Sequence, residues 1–312
     1  MAPGDSGTDA AAALAAVLTP GFLRKLDRLH LRVRRSLSTR PGNTPMPRGA
    51  QGSGIEIESY KSYDPGDDLR YLDWNAYGRL DQLLIKTFRA EREAPLHIFV
   101  DVSRSMAAPA GDGKAAFALG LAASLAYVSL CNNDPVRIVG VGAALPQGHL
   151  ASPAFRHRQT LPQVRDVLLA LHPRGDTALA AGIAGALRAQ RAPGVAIVLS
   201  DFLVAPAEFE AAIGDLVARR FTVAAVRPIG PGERDPGGLF RRAQLVDAES
   251  GRQRFVTLNA ANLERYQAAL AAHHERLRTF CRRCGVVLSI ADTAAGLEHS
   301  LFNDLPSAGL VR

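Results

Sequence analysis

The chain has 312 residues, 47% hydrophobic and 21% charged, enough apolar material for a large domain with an accessory part and too much for a disordered chain. Its net charge of +7 sits in residues 20–50, where Arg24, Lys25, Arg28, Arg32, Arg34, Arg35, Arg40 and Arg48 face only Asp27. Few aromatics interleave with this basic arm, which argues against base stacking on single-stranded nucleic acid and for a solvated basic helix.

Residues 1–20 read as a disordered start. The apolar run from Ala10 to Leu18 is short and follows Asp5 and Asp9, the opposite of an export signal's charge. Residues 21–94 are expected to hold a basic helix, a linker and a small β-rich module. "GFLRKLDRLHLRVRRSL" has helical apolar spacing at Phe22, Leu23, Leu26, Leu29, Leu31 and Val33. The Pro- and Gly-rich "STRPGNTPMPRGAQGSG" behind it is a linker. Ile55/Ile57 and Leu83/Ile85 are strand pieces of the module. Between them, Asp64-Pro65-Gly66-Asp67-Asp68 is a turn by its chemistry: proline sets φ, glycine relieves it and aspartate accepts from nearby N–H groups. Arg70 can bridge Asp67 or Asp73, and Trp74, the only tryptophan, has a large face expected to be buried against the main domain.

From Leu96 the rhythm changes. Short apolar runs at 96–101, 136–141, 195–201, 222–227 and 286–290 alternate with helical stretches at 114–132, 161–171, 178–191, 206–219 and 260–283. This predicts a three-layer, doubly wound, mostly parallel α/β domain over 95–312. A hairpin over 243–258, turning at Glu249-Ser250-Gly251, interrupts it. The uncharged stretch Ala115–Asn133 is diluted by Gly120, Ser124, Tyr127 and Ser129, and reads as a helix packed on the sheet rather than a membrane span. The three cysteines, Cys131, Cys281 and Cys284, are an odd count that fits reduced thiols in a cytoplasm.

In an open doubly wound sheet, ligands lie outside the carboxyl ends of the strands where the winding reverses. With strand order 3-2-1-4-5-6 and a short edge strand near 149–156, the first strand ends at Asp101 in "HIFVDVSRSM" and the fourth at Asp201 in "AIVLSDF". "RGDTAL" places Thr177 just before a helix. Five oxygen side chains then converge: Asp101, Ser103, Ser105, Thr177 and Asp201. Two carboxylates and three hydroxyls suit a hard divalent cation, Mg²⁺ or Mn²⁺, with positions left open. The blander alternative is that Asp101 and Thr177 cap the helices after them and Asp201 is a turn residue.

"DVSRSM", "GDTAL" and "LSDF" resemble the D-x-S-x-S…T…D pattern of the von Willebrand factor type A fold and its metal-ion-dependent adhesion site. The stretch "YKSYDPGDDLRYLDW" is similar to the signature of the domain-of-unknown-function 58 family, R-x-Y-x-x-G-D-D-x-R-x-I-D-W. Here Lys61 stands for Arg and Leu72 for Ile, while Tyr63, Gly66, Asp67, Asp68, Arg70, Asp73 and Trp74 match. Two blocks in family order make the resemblance specific over roughly residues 20–305. It implies a complete adhesion site, with Asp101, Ser103, Ser105 and Thr177 in or near direct ligation and Asp201 acting through water. It further implies work beside MoxR-type AAA+ ATPases in assembly or maturation of other proteins.

Rival chemistries lack parts. A dehalogenase-type phosphatase needs a second Asp where Ser103 stands and a downstream lysine, yet no lysine follows Lys114. "APAGDGKAAF" echoes a phosphate loop, but Ala108 replaces the first Gly and Ala115 the Ser/Thr, so no nucleotide site is expected. No G-x-S-x-G occurs. His97 is expected to pack, and His273-His274 to be a solvated pair. The expected function is a non-catalytic interaction module whose cation accepts an acidic side chain from a partner protein. A metal-dependent hydrolase or phosphatase, and a nucleic-acid binder using the basic arm, are the alternatives.

Overall fold

The computed structural model describes residues 6–31, 57–67, 69–88, 95–188, 193–238, 242–248, 251–257 and 259–312. The chain divides into two compact units, one formed by 1–34 with 94–312 and the other by 35–93.

In the larger unit six strands form one sheet. These are β3 (Leu96–Asp101), β4 (Val136–Val141), β5 (His149–Ala151), β6 (Val195–Leu199), β7 (Thr222–Ile229) and β10 (Val287–Asp292), in the order β10-β7-β6-β3-β4-β5. All pairings are parallel except that of β5, the antiparallel edge strand. The crossovers carry α4 (Lys114–Cys131), α5 (Leu161–Leu169), α6 (Leu179–Leu187), α7 (Pro206–Ala218) and α9 (Ala260–Cys284), with the short α8 (Pro231–Arg234) after β7. This is the three-layer, von Willebrand factor type A-like arrangement expected, and the strand order is the one read from the sequence.

Strand periodicity divides the core. Leu96, Ile98 and Val100 point to one face, where α4 and α5 cover them. Phe99 points to the other, under α6, α7 and α9. Helix α4 is long and apolar enough to cross a membrane. It is buried on nearly every side instead, which explains why it is apolar all round.

The start of the chain departs from expectation. Ser6–Val17 is a helix, α1, not disordered, and it buries Ala10, Leu14 and Val17 in the core that contains α4. Their spacing makes one stripe that is stable only once α4 is there to receive it. Helix α2 covers only Pro20–Leu26, shorter than the apolar spacing suggested. Two reciprocal 2.9 Å hydrogen bonds between His30 and Arg312, and a bridge of Leu31 to Val311, pull the chain into extended pairing with the C-terminus. The rest of the basic arm and the linker lie outside the described residues.

The smaller unit holds β1 (Ile57–Ser62) antiparallel to β2 (Leu84–Phe88), with α3 (Trp74–Leu80) between them. Ile55 lies outside the described residues. The expected hairpin is β8 (Arg242–Val246) paired with β9 (Gln253–Thr257); Glu249 and Ser250 of its turn lie outside the described residues. Helices α10 (Leu297–His299) and α11 (Leu305–Ala308) close the chain.

Candidate functional site

The winding reverses between β3 and β6, the neighbours from opposite halves of the sheet. The ladder carries Asp101 to the end of β3, where it is 3% exposed. One of its oxygens accepts the Ser103 N–H at 2.9 Å and the other the Ser200 hydroxyl at 2.6 Å. The Ser103 and Ser105 hydroxyls are 2.9 Å apart. The Ser105 hydroxyl also approaches Asp201 Oδ1 at 3.4 Å, and that oxygen accepts the Leu203 N–H at 3.2 Å. The two strand tips are therefore hydrogen-bonded across the crevice. Asp101 and Asp201 do accept turn N–H groups, as the blander reading had it, but they do so while facing each other.

Thr177 comes from the third loop. Arg104 N–H donates to Gly175 O at 3.0 Å and Arg174 N–H to Val102 O at 2.7 Å, so its loop is stitched to the one bearing the serines. Gly175 is required for this approach: its φ is +68° and a Cβ there would lie 2.7 Å from Ala144 Cβ. Thr177 does not cap α6. The first N–H of that helix, Leu179, is taken by Glu208 at 3.0 Å, and Thr177 Oγ1 is buried with no hydrogen-bond partner. A buried hydroxyl left unpaired costs free energy unless something absent supplies the bond.

Burial pushes the Asp101 carboxyl up to about 6, and the nearby Asp201 charge adds to the rise. Phe202, directly after Asp201, is buried at φ +50°, a strained conformation for a bulky residue. Its N–H donates to Ser200 Oγ at 2.9 Å and its ring packs edge-on to Phe209. The turn that aims Asp201 into the crevice is held from both sides.

Several members of the site were not among the residues singled out in the sequence. Ser200 precedes Asp201 and was hidden as an ordinary strand end. Lys114, 1% exposed, donates to Asp201 Oδ2 at 2.8 Å and to Glu233 at 3.0 Å. Glu233 also pairs with the fully buried Arg227. Arg227 in turn donates to Asp201 O at 2.8 Å and lies 2.9 Å from His274 Nε2. Asp112 anchors the Glu233 turn by accepting from Gly232 N–H at 2.8 Å and Glu233 N–H at 2.9 Å. The scarcity of lysine was the available signal, because Lys114 is the last of four. His273 and His274 are half-buried rather than a solvated pair, since α9 packs over the Arg227 network. His97 packs edge-on against Phe221 as expected.

The signature block folds as its chemistry dictates. Asp67 N–H donates to Asp64 O at 3.0 Å with Gly66 at φ +109°, a turn that proline and glycine favour. The Asp67 carboxylate accepts from Asp64 N–H at 3.0 Å and from Lys61 at 3.1 Å. Those bonds hold its pKa below the usual carboxylate range; that of Lys61 is lifted first by the Asp64 carboxylate, 2.8 Å away, and then by Asp67. Asp73 caps α3 through Asn75 and Ala76 N–H groups, and the Tyr63 N–H donates to Leu83 O at 2.8 Å. Asp68 lies outside the described residues. Trp74, expected to be buried, is 65% exposed and meets Tyr77 edge-on.

Hydrogen bonds join the Asp101, Ser103, Ser105 and Asp201 groups into an all-oxygen cluster, and Thr177, with its orphaned buried hydroxyl, lies on the loop bonded to the serine-bearing one. A hard divalent cation fits these donors. Among the described residues no group of three or more His, Cys, Asp or Glu is placed to share a metal.

Residues 59–276 match a family described as "Protein of unknown function DUF58". Uncharacterized proteins of Mycobacterium bovis and Mycobacterium tuberculosis are 27% identical over 246 residues, covering 76% of this chain and 74% of each relative. Among solved structures, a von Willebrand factor type A protein from Catenulispora acidiphila is similar over 70% of this chain, at 19% identity and a TM-score of 0.39. This chain spans 42% of that protein's length. An aerotolerance-related membrane protein from Bacteroides fragilis is similar over 69% of this chain and 99% of its own, at 15% identity and a TM-score of 0.43. At such scores the fold rests on the connectivity of the sheet itself.

Proposed function

The chain belongs to the family Protein of unknown function DUF58, and from that premise we propose that its larger unit is a non-catalytic, cation-dependent docking module. Asp101, Ser103, Ser105 and Thr177 would hold a Mg²⁺ or Mn²⁺ ion, with Asp201 supporting it from the far side of the crevice. When bound, the ion supplies an electrophilic position that accepts a carboxylate.

The observation that carries this reading is Thr177 Oγ1, buried and unpartnered on the loop bonded to the one that bears Ser103 and Ser105. The chain's own residues do the rest. Ser200 and the Ser103 N–H fix the two Asp101 oxygens. Neutral hydroxyls provide the other donors, so little charge is cancelled and an acidic side chain from a partner protein is attracted. The proposed partner is a MoxR-type AAA+ ATPase, by the resemblance in the signature and adhesion-site motifs. The proposed setting is the cytoplasm, which three free thiols, Cys131, Cys281 and Cys284, suit.

Calorimetric titration of Mg²⁺ and Mn²⁺ into chelator-stripped protein tests the reading. Saturable one-site binding in the wild type and none in Asp101→Ala is expected. Equal binding by both would overturn it. A pull-down that loses its partner on Asp101→Ala or on chelation supports docking, whereas phosphatase turnover lost in the same variant would move the reading to the hydrolase.

A further inference from the structure

Lys114 is a fully buried ammonium placed at the first position of α4, within 2.8 Å of one Asp201 oxygen and 3.0 Å of Glu233. Asp201 divides its two oxygens: Oδ1 turns to Ser105 and Leu203 N–H, Oδ2 to Lys114. Glu233 is likewise shared between Lys114 and Arg227. In the chain Asp201–Lys114–Glu233–Arg227 two carboxylates meet two cations, and their charges cancel. Asp101 is left as the one donor carboxylate of the candidate site without a cationic partner in the hydrogen bonds described.

We infer that Lys114 is a positioning residue that sets how strongly the site holds its cation. By occupying Asp201 Oδ2 it keeps that carboxylate from giving its full charge to the ion. Glu233 supplies the opposing pull on the same ammonium. This inference rests on the docking reading above and assigns to Lys114 and Glu233 roles of opposite sign. A weakly neutralised cation keeps more of its charge for an acidic ligand from outside, so Lys114 trades ion affinity for the strength of docking.

The test uses the full chain, stripped of metal, with Mn²⁺ as the probe. Lys114→Met removes the competing ammonium and leaves Asp201 unpaired, so the metal-free protein is expected to melt lower than wild type. Its Mn²⁺ affinity is expected to rise at least about tenfold, a direction set by removing a like charge beside the site, and its Mn²⁺-induced rise in Tm to exceed that of wild type. Glu233→Gln leaves Lys114 to Asp201 alone, and its Mn²⁺ affinity is expected to fall severalfold. A residue with only a structural role would lower stability in both variants and would not raise affinity in either. Unchanged or weaker Mn²⁺ binding in folded Lys114→Met, with binding intact in the wild type, overturns the inference alone. Should Lys114→Met fail to fold, Mn²⁺ binding by Glu233→Gln as tight as wild type overturns it. No saturable binding in wild type or either variant sinks the docking reading and this one with it.

Discussion

Two buried titratable side chains at either end of β3 act on stability in opposite directions. Asp101 is raised from 3.8 to about 6, so the folded state holds its proton more tightly than the unfolded chain. Stability from this group is greatest at low pH and is lost as pH rises from about 4 through 6. The shift corresponds to about 3 kcal/mol against the ionised form. Asp101→Asn is therefore expected to stabilise metal-free protein at pH 8 by up to about 3 kcal/mol, to do little at pH 4, and to abolish any Mg²⁺-induced gain; denaturant unfolding at the two pH values measures it. His97, lowered from 6.5 to about 4 by burial and the Arg137 charge, behaves conversely. Its contribution is complete above about 6.5 and lost as pH falls toward 4. His97→Phe should flatten that acid-side decline, and an unchanged slope would contradict the account. Residue by residue, the sequence revealed the side chains whose type is unusual at a strand tip, Asp101 and Asp201. It concealed Lys114, because partners 87 and 119 positions away leave no local pattern, and with it Ser200, Glu233 and Arg227.

At the scale of elements, pattern was legible wherever one face or both are buried for a whole element. The five parallel strands and the helices over them follow from apolar runs of strand length alternating with helical spacing. Ends were less legible: β6 stops at Leu199 rather than Asp201, with the Ser200 N–H making a last 3.3 Å bond to Val226 O before the chain turns. Helix α1 was missed because its stripe of Ala10, Leu14 and Val17 gains its burial from α4, far along the chain. Leu14→Ala should accordingly cost about 2–5 kcal/mol in thermal or denaturant unfolding, and a loss below about 0.5 kcal/mol, as at surface sites, would mean that α1 is not docked. The loop carrying Thr177 makes a second prediction. Gly175→Ala forces a Cβ into Ala144 at positive φ and should destabilise by about 1–3 kcal/mol. It should weaken Mn²⁺ binding as well, since Thr177 is two residues on; calorimetry of the folded variant separates the two effects.

For the molecule as a whole, the sheet order matters most, because it alone brings Asp101 and Asp201 together from a hundred residues apart. That order followed from counting strands and allowing one short edge strand, and β5 fills the role at His149–Ala151. In the smaller unit the strand pieces at Ile57 and Ile85 were legible and fall in β1 and β2, while helix α3 between them and the exposure of Trp74 were not, since the fate of a large aromatic is decided by what packs on it. The most direct trial of the central claim is anomalous scattering from crystals of the full chain soaked in Mn²⁺. The account predicts one peak in the crevice between β3 and β6, about 2.1 Å from Thr177 Oγ1 and from oxygens of Ser103 and Ser105. A crevice without such a peak, at Mn²⁺ concentrations that saturate the protein in solution, would contradict it.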